Sequence, residues 1–268
     1  MRRRTALQYL LWSVCASSRV LFAQWPTNTA KPRSPQTDSP WPSNTAPDGS
    51  DHPTSIANSL EGRRGCGIRG VDADSFGSAG IQISERCGIP FLDKVMPAEA
   101  ELLSDAFGVS PGFVFLNDLA SANAFATPES IHGGSGTVLF GLRLLRQEIY
   151  ASAVGGNALI LIMAHEWGHI LQYDHGLEVG GTRMELSADF MGGWWLGYKA
   201  LMNVPELDWQ TAARSLFGKG DYAFNSPQHH GTPAQRVMSA GRGFALAASS
   251  GVDDARIAFR EARKLVNL

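Results

Sequence analysis

Two histidines and a glutamate within five residues carry the clearest chemical signal in this sequence. His165 and His169 are four residues apart in the segment AHEWGHILQ, and Glu166 follows the first of them. On a helix, side chains four residues apart leave the same face, so both imidazoles can bind one metal ion. Glu166 is then placed to take a proton from a metal-bound water and to pass it to a leaving amine. The spacing predicts the chemistry of a zinc peptidase, with one Zn²⁺ per chain.

The residues around this motif predict a helix that is buried on most sides. The apolar run 157–164 (NALILIMA) leads into the motif, and Ile170 and Leu171 continue it. Burying a polar group without a partner costs about 1–3 kcal/mol. Two histidines and a glutamate on such a helix are therefore expected to be paired or to bind a metal.

A catalytic zinc site needs a third protein ligand, and two residues compete for this role. His175 has the spacing of the third histidine in the pattern HExxHxxGxxH, but Gln172 stands where that pattern needs its turn glycine. Glu185 is the other candidate and the one we favour. It is four residues before Asp189, so one carboxylate can bind the metal while the other accepts a hydrogen bond from a zinc-bound histidine.

The motif HEWGH, followed sixteen residues after its last histidine by ELSAD, resembles the gluzincin peptidases. The similarity is to the family of the CaaX prenyl protease and the HtpX heat-shock protease, in particular to its soluble bacterial relatives. The segments 123–128 (NAFATP) and 230–236 (HGTPAQR) resemble two further family motifs, although glycine replaces the usual proline in the second. The resemblance covers about residues 100–240.

This resemblance implies a zincin-like α+β fold, predominantly helical, with a small sheet and an active-site helix that carries HExxH. The implied zinc ligands are His165, His169 and Glu185, and the implied substrate is a peptide or protein that pairs with a strand at the sheet edge. The membrane-spanning helices of the better-known members are missing, so their prenylated or membrane-protein substrates are not expected.

Five residues outside the ligand set have expected roles or positions. Asp189 would orient a zinc-bound histidine, and Arg236 would pair with Asp189 or Glu185 unless it lies on the surface. His230 is the candidate donor to the oxyanion of the tetrahedral intermediate, with Tyr222 as an alternative. His132, in the glycine-rich segment IHGGSG, is expected on a surface loop.

The first 23 residues predict a secretory signal peptide. Three arginines precede an apolar run, and Ala23 is a suitable residue for cleavage. The arginines are also compatible with twin-arginine export, so both that route and the Sec route remain open. A signal anchor is the alternative, but the apolar run is short and interrupted. We expect a periplasmic or secreted protein with no transmembrane segment in the mature chain.

Residues 24–60 predict a disordered linker, since seven prolines lie there among Ser, Thr, Asn and Asp. The metallopeptidase domain is expected over 61–268. Removing residues 1–23 leaves 19 Lys and Arg against 25 Asp and Glu, a net charge of about −6. No basic stripe or nucleic-acid motif is present, so nucleic acid is not an expected partner.

Two cysteines remain after removal of the signal peptide. In an oxidising compartment an even number predicts pairing, here a disulfide between Cys66 and Cys87. Two buried thiols are the alternative.

Periodicity and turn residues predict the remaining elements. The predicted strands are 113–116, 122–126 and 137–140, and the predicted helices are 97–107, 142–152, 182–202, 208–217, 253–266 and one that begins after Thr232 in a capping box.

The sequence thus predicts an exported zinc metalloendopeptidase. The alternative is a non-proteolytic envelope binding or assembly factor that contains zinc at a latent peptidase site. Retention of Glu166 disfavours the alternative, because a purely structural zinc site needs no base.

Overall fold

The computed structural model describes residues 66–67, 83–118, 122–131, 133–151, 155–177, 181–205, 207–222 and 229–268. The predicted signal peptide, the predicted linker and His132 lie outside these residues. The described part of the chain is α+β and predominantly helical, which confirms the predicted class. No helix in these ranges is both long enough and apolar enough to cross a membrane.

A small mixed sheet forms one layer of the fold. Its strands are β1 (Cys66–Gly67), β2 (Ile83–Ser84), β3 (Gly112–Leu116), β4 (Ala124–Thr127) and β5 (Thr137–Gly141). Their order is β1-β4-β5-β3-β2, with β3 and β5 parallel and every other pair antiparallel. The two edges of the described sheet are therefore β1 and β2, and β1 covers β4 at Phe125 and Ala126.

Successive side chains along each strand point to opposite faces of the sheet, and both faces are apolar. One face joins the main helical core through Phe115, Ala126 and Phe140. The other face forms a smaller cluster that includes Val114 and Leu139. Both faces of the sheet are buried, and β4 and β5 therefore have no exposed residue.

Seven helices lie in the described ranges. They are α1 (Pro90–Phe107), α2 (Leu142–Ala151), α3 (Gly156–Asp174), α4 (Gly181–Leu201), α5 (Trp209–Phe217), α6 (Pro233–Ala248) and α7 (Ala255–Val266). The predicted elements are confirmed to within a few residues, except that α1 begins seven residues before its predicted start. Pro97 lies inside α1, and Pro90 occupies its first turn, where proline is well tolerated.

The capping box predicted at the start of α6 is confirmed. Thr232 accepts a hydrogen bond from the Gln235 backbone N–H, and the Gln235 side chain accepts one from the Thr232 N–H. This exchange satisfies backbone donors that have no partner within the helix. It sets the point at which α6 begins, three residues before Arg236.

The predicted disulfide is corrected by the structure, in which Cys87 is a free, buried thiol. Cys66 lies on β1 at one edge of the sheet, whereas Cys87 follows β2 at the opposite edge. A disulfide needs Cα atoms within about 7 Å, which this arrangement does not provide. Burial and the neighbouring Asp93 raise the pKa of the Cys87 thiol to about 12.

Glycines allow α4 and α6 to pack with their backbones in close contact. A Cβ atom at Gly193 would lie 1.9 Å from the carbonyl oxygen of Ala240, and one at Gly243 would lie 1.9 Å from that of Phe190. Neither position accepts a side chain unless the helices separate. This close approach brings the first turn of α6 against the middle of α4.

We expect Gly193→Ala to destabilise the protein by about 1–3 kcal/mol, because the methyl group forces α4 and α6 apart. Gly241→Ala is the matched control on α6, since its Cβ would meet only a Trp209 ring carbon at 3.5 Å. Alanine is the better helix former, so the control is expected to be neutral or stabilising. Urea unfolding measures both changes, and an equal effect of the two substitutions would contradict the close-packing account.

Candidate metal centre

Three side chains from two helices converge in the core. His165 and His169 on α3 and Glu185 on α4 form a group whose ligand atoms all lie within 4.8 Å of one another. The Nε2 atoms of the two histidines are 3.1 Å apart, and carboxylate oxygens of Glu185 lie 3.5 and 3.3 Å from them, respectively. All three residues are fully buried.

These spacings match those between the ligands of one zinc ion. Two tetrahedral ligand atoms bound at 2.0–2.1 Å are about 3.3 Å from each other. The three measured separations lie within a few tenths of an ångström of this value. The group predicted from the sequence is therefore close enough, and has the right donor atoms, to hold one metal ion.

His165 has a charged partner on its other ring nitrogen. Its Nδ1 lies 2.9 Å from Asp189 Oδ1. Arg236 binds both oxygens of Asp189 at 2.8 Å, and one of its nitrogens is also 3.3 Å from Glu185. The structure thus brings Asp189 and Arg236 together beside His165, with Arg236 contacting both carboxylates and fully buried.

His169 has a neutral partner that the sequence interpretation missed. Its Nδ1 lies 2.8 Å from Oε1 of Gln172, and Nε2 of Gln172 donates a hydrogen bond of 3.0 Å to the carbonyl oxygen of Met184. In the sequence, Gln172 stands where the HExxHxxGxxH pattern has its turn glycine. The sequence did offer a signal for this contact, because Gln172 follows His169 by three residues and side chains at that spacing are neighbours on a helix.

The oxygen atoms beside each Nδ1 indicate which ring nitrogens can bind a metal. Nδ1 of each histidine faces an oxygen acceptor, so Nδ1 carries the hydrogen when the ring is neutral. Each Nε2 then directs a lone pair toward the other and toward Glu185. The two Nε2 lone pairs and the Glu185 carboxylate repel one another unless a metal ion or a proton lies between them. The donor set therefore fits a divalent metal ion.

Without a metal, a proton supplies the positive charge between His165, His169 and Glu185. Burial lowers the pKa of His165, but Asp189 and Glu185 outweigh it and raise that pKa to about 9. Burial lowers the pKa of His169, so His165 is the stronger competitor for a proton. Burial also opposes ionisation of Glu185, but both histidines hold its pKa well below the usual range. The metal-free centre is thus expected to contain one extra proton on His165.

Glu166 is buried beside the three ligands and has unusual surroundings. Within the described ranges, neither of its carboxylate oxygens has a hydrogen-bond partner. Burial is the main reason why its pKa is raised to about 8, and Glu185 adds to the shift while His165 opposes it. A carboxylate kept in the core without a partner is costly, and such costs are concentrated at functional sites.

The candidate oxyanion donors occupy different environments. His230 is mostly buried at the start of α6, where Asp221 accepts a hydrogen bond from its backbone N–H at 3.0 Å. The same carboxylate lies 2.5 Å from Nδ1 of His229. Tyr222 is 67% exposed. The structure therefore holds the backbone of His230 in place through Asp221.

His175 does not join the metal group, which removes support for the alternative ligand set. Helix α3 continues through Gln172 to Asp174, as expected where glycine is absent, and His175 follows as its exposed C-cap. Its ring packs against Phe259 of α7 with a centroid distance of 5.0 Å.

No protein-family model, no curated protein and no solved structure matches the chain. The gluzincin resemblance therefore remains a prediction from sequence motifs, and the arrangement of the metal centre is an independent observation beside it.

We expect purified wild-type protein to bind one zinc ion per chain. Glu185→Ala should abolish tight binding because it removes the third ligand, whereas His175→Ala should keep it. Elemental analysis after dialysis measures both. Zinc retained by the Glu185 variant and lost by the His175 variant would reverse the ligand assignment.

Zinc affinity should increase with pH, because zinc must displace the proton on His165. Affinity rises with pH because the pKa of His165 is raised to about 9. Below that pH the proton on His165 competes with zinc, and above it His165 is neutral and free to bind. The apparent affinity should rise about tenfold per pH unit in the range below that value. Competition with a coloured chelator measures it, and a pH-independent affinity would contradict the expected protonation.

Proposed function

We propose that the protein is an exported zinc metalloendopeptidase of the gluzincin type. One observation carries the proposal: two imidazole nitrogens and a carboxylate from two helices lie within 4.8 Å of one another in the core, with an unpartnered carboxylate, Glu166, beside them. The HEWGH and ELSAD motifs support the same conclusion from the sequence.

A bound zinc ion would supply Lewis acidity, which lowers the pKa of water and polarises a carbonyl group. Glu166 supplies the proton transfer. It accepts a proton from the attacking water and returns it to the amide nitrogen as the peptide bond breaks. A carboxylate whose pKa is raised toward neutrality suits both steps, because it gains and loses a proton near the working pH.

Asp189 and Arg236 would keep the ligands in place during these steps. Arg236 donates a hydrogen bond to each carboxylate oxygen of Asp189, and Oδ1 of Asp189 faces Nδ1 of His165. Arg236 also offsets part of the negative charge of Asp189 and Glu185 within the core. His230, whose backbone is bonded to Asp221, remains our candidate for stabilising the oxyanion.

The neighbourhood of the ligand-bearing helix supports an extended peptide as substrate. Tyr173 follows His169 by one turn on α3, and its hydroxyl donates a 3.3 Å hydrogen bond to the carbonyl of Ala126 on β4. On its other side β4 pairs antiparallel with Cys66–Gly67 of the same chain. Because β1 already occupies this side of β4, a peptide substrate would add as a further strand at an edge of the described sheet, β1 or β2.

Complete burial of the centre favours one alternative, a zinc-containing envelope binding or assembly factor with a latent peptidase site. His165, His169 and Glu185 have no exposed surface. A substrate can reach them only after a covering segment moves. The unpartnered Glu166 favours the peptidase, because a structural zinc site has no use for a base.

Glu166→Gln should separate the two functions. The substitution removes the proton acceptor while keeping the ligand set, so zinc content should stay at the wild-type level. Cleavage of an unfolded protein substrate should fall by about two to four orders of magnitude.

Glu261→Gln serves as the matched control, because this carboxylate is partly exposed on α7 and, among the described residues, forms ion pairs with Arg260 and Lys264 of its own helix. It should cleave at the wild-type rate. Equal cleavage by wild type and Glu166→Gln would reject the catalytic role of Glu166. Zinc binding without chelator-sensitive cleavage by the wild type would support the binding factor instead.

A further inference from the structure

We infer that Gln172 is a positioning residue that orients two zinc ligands at once, His169 on α3 and Glu185 on α4. The inference rests on the proposed metal centre. It assigns a role to a side chain that is fully buried and that lies outside the HExxH motif.

The two ends of the Gln172 amide have different partners. Nε2 donates to the Met184 carbonyl, which can only accept a hydrogen bond. This contact fixes the orientation of the amide, and Oε1 is therefore the end that lies 2.8 Å from His169 Nδ1. An oxygen at that position requires the hydrogen of neutral His169 to be on Nδ1. The Nε2 lone pair is then left free for the metal.

The second contact connects the amide to the third ligand. Met184 immediately precedes Glu185 in the first turns of α4. A shift of α4 relative to α3 that moved Glu185 away from the histidines would also break the bond from Gln172 to the Met184 carbonyl. The one amide thus holds a ligand of α3 directly and a ligand of α4 through the adjacent backbone.

A neutral amide suits this position for an electrostatic reason. Glu166, Glu185 and Asp189 already place three carboxyl groups in a core where Arg236 is the guanidinium that contacts two of them. A fourth carboxylate would add charge that the core cannot hydrate. The amide accepts from His169 without adding that charge, and it can also donate, which a carboxylate cannot.

The test compares zinc affinity in two variants by chelator competition. Gln172→Met removes both hydrogen bonds at similar volume, and we expect its affinity to fall about 10–100-fold. Gln172→Glu keeps an acceptor for His169 but loses the donor to Met184, so its zinc affinity should fall less, while its added charge lowers the free energy of unfolding. Gln210→Met, an exposed position on α5, is the matched control and should bind as the wild type does.

The wild-type protein provides a second measurement that does not depend on the variants. Imidazole ¹⁵N chemical shifts should show His169 protonated at Nδ1, both without metal and with zinc. A hydrogen on Nε2, or wild-type affinity in a folded Gln172→Met protein, would overturn the inference. Equal losses in both variants would overturn the role of Oε1.

These outcomes are distinguishable from failure of the proposed function. If the wild type binds no zinc, the metal centre itself is wrong. If the wild type binds zinc and the Gln172 variants bind it equally well, only the role of Gln172 is rejected.

Discussion

Electrostatic repulsion among buried acceptors is the constraint on which the rest of this structure depends. Two imidazole lone pairs and a carboxylate meet at separations of 3.1 to 3.5 Å in a core without exposed surface. In such surroundings, like groups are not screened by water, and they stay together only with a positive charge between them. A proton can supply that charge when no metal is present, and a zinc ion matches the spacing better.

The surrounding helices serve to hold this unfavourable arrangement together. α3 contributes both histidines and Glu166, and its apolar residues anchor it on nearly every side. α4 brings Glu185 and Asp189, and α6 brings Arg236 into contact with both carboxylates. The glycine-mediated contact between α4 and α6 permits this approach. Stability and site geometry therefore depend on the same helix packing.

Nδ1 of each histidine in the candidate metal centre faces an oxygen, but the two oxygens differ in charge. Asp189 behind His165 is ionised and paired with Arg236, whereas Gln172 behind His169 is neutral and bound to backbone. This asymmetry limits the number of buried carboxylates while orienting both rings. Among the described residues, neither oxygen of Glu166 has a hydrogen-bond partner, which fits its proposed role as the general base.

The sequence alone predicted that His165 and His169 share a face, because helical periodicity is local: residues four apart share a face wherever the helix lies. Glu185 was predicted from its motif, and the packing of α4 on α3 brings it to the two histidines. The same local rules predicted most element positions and the Thr232 capping box. Tertiary structure decided what depends on distant segments meeting. It separated Cys66 from Cys87 across the sheet, placed His175 against Phe259, and brought the Met184 carbonyl to Gln172. Sequence spacing carries no information on those contacts, since strand order and helix packing set them.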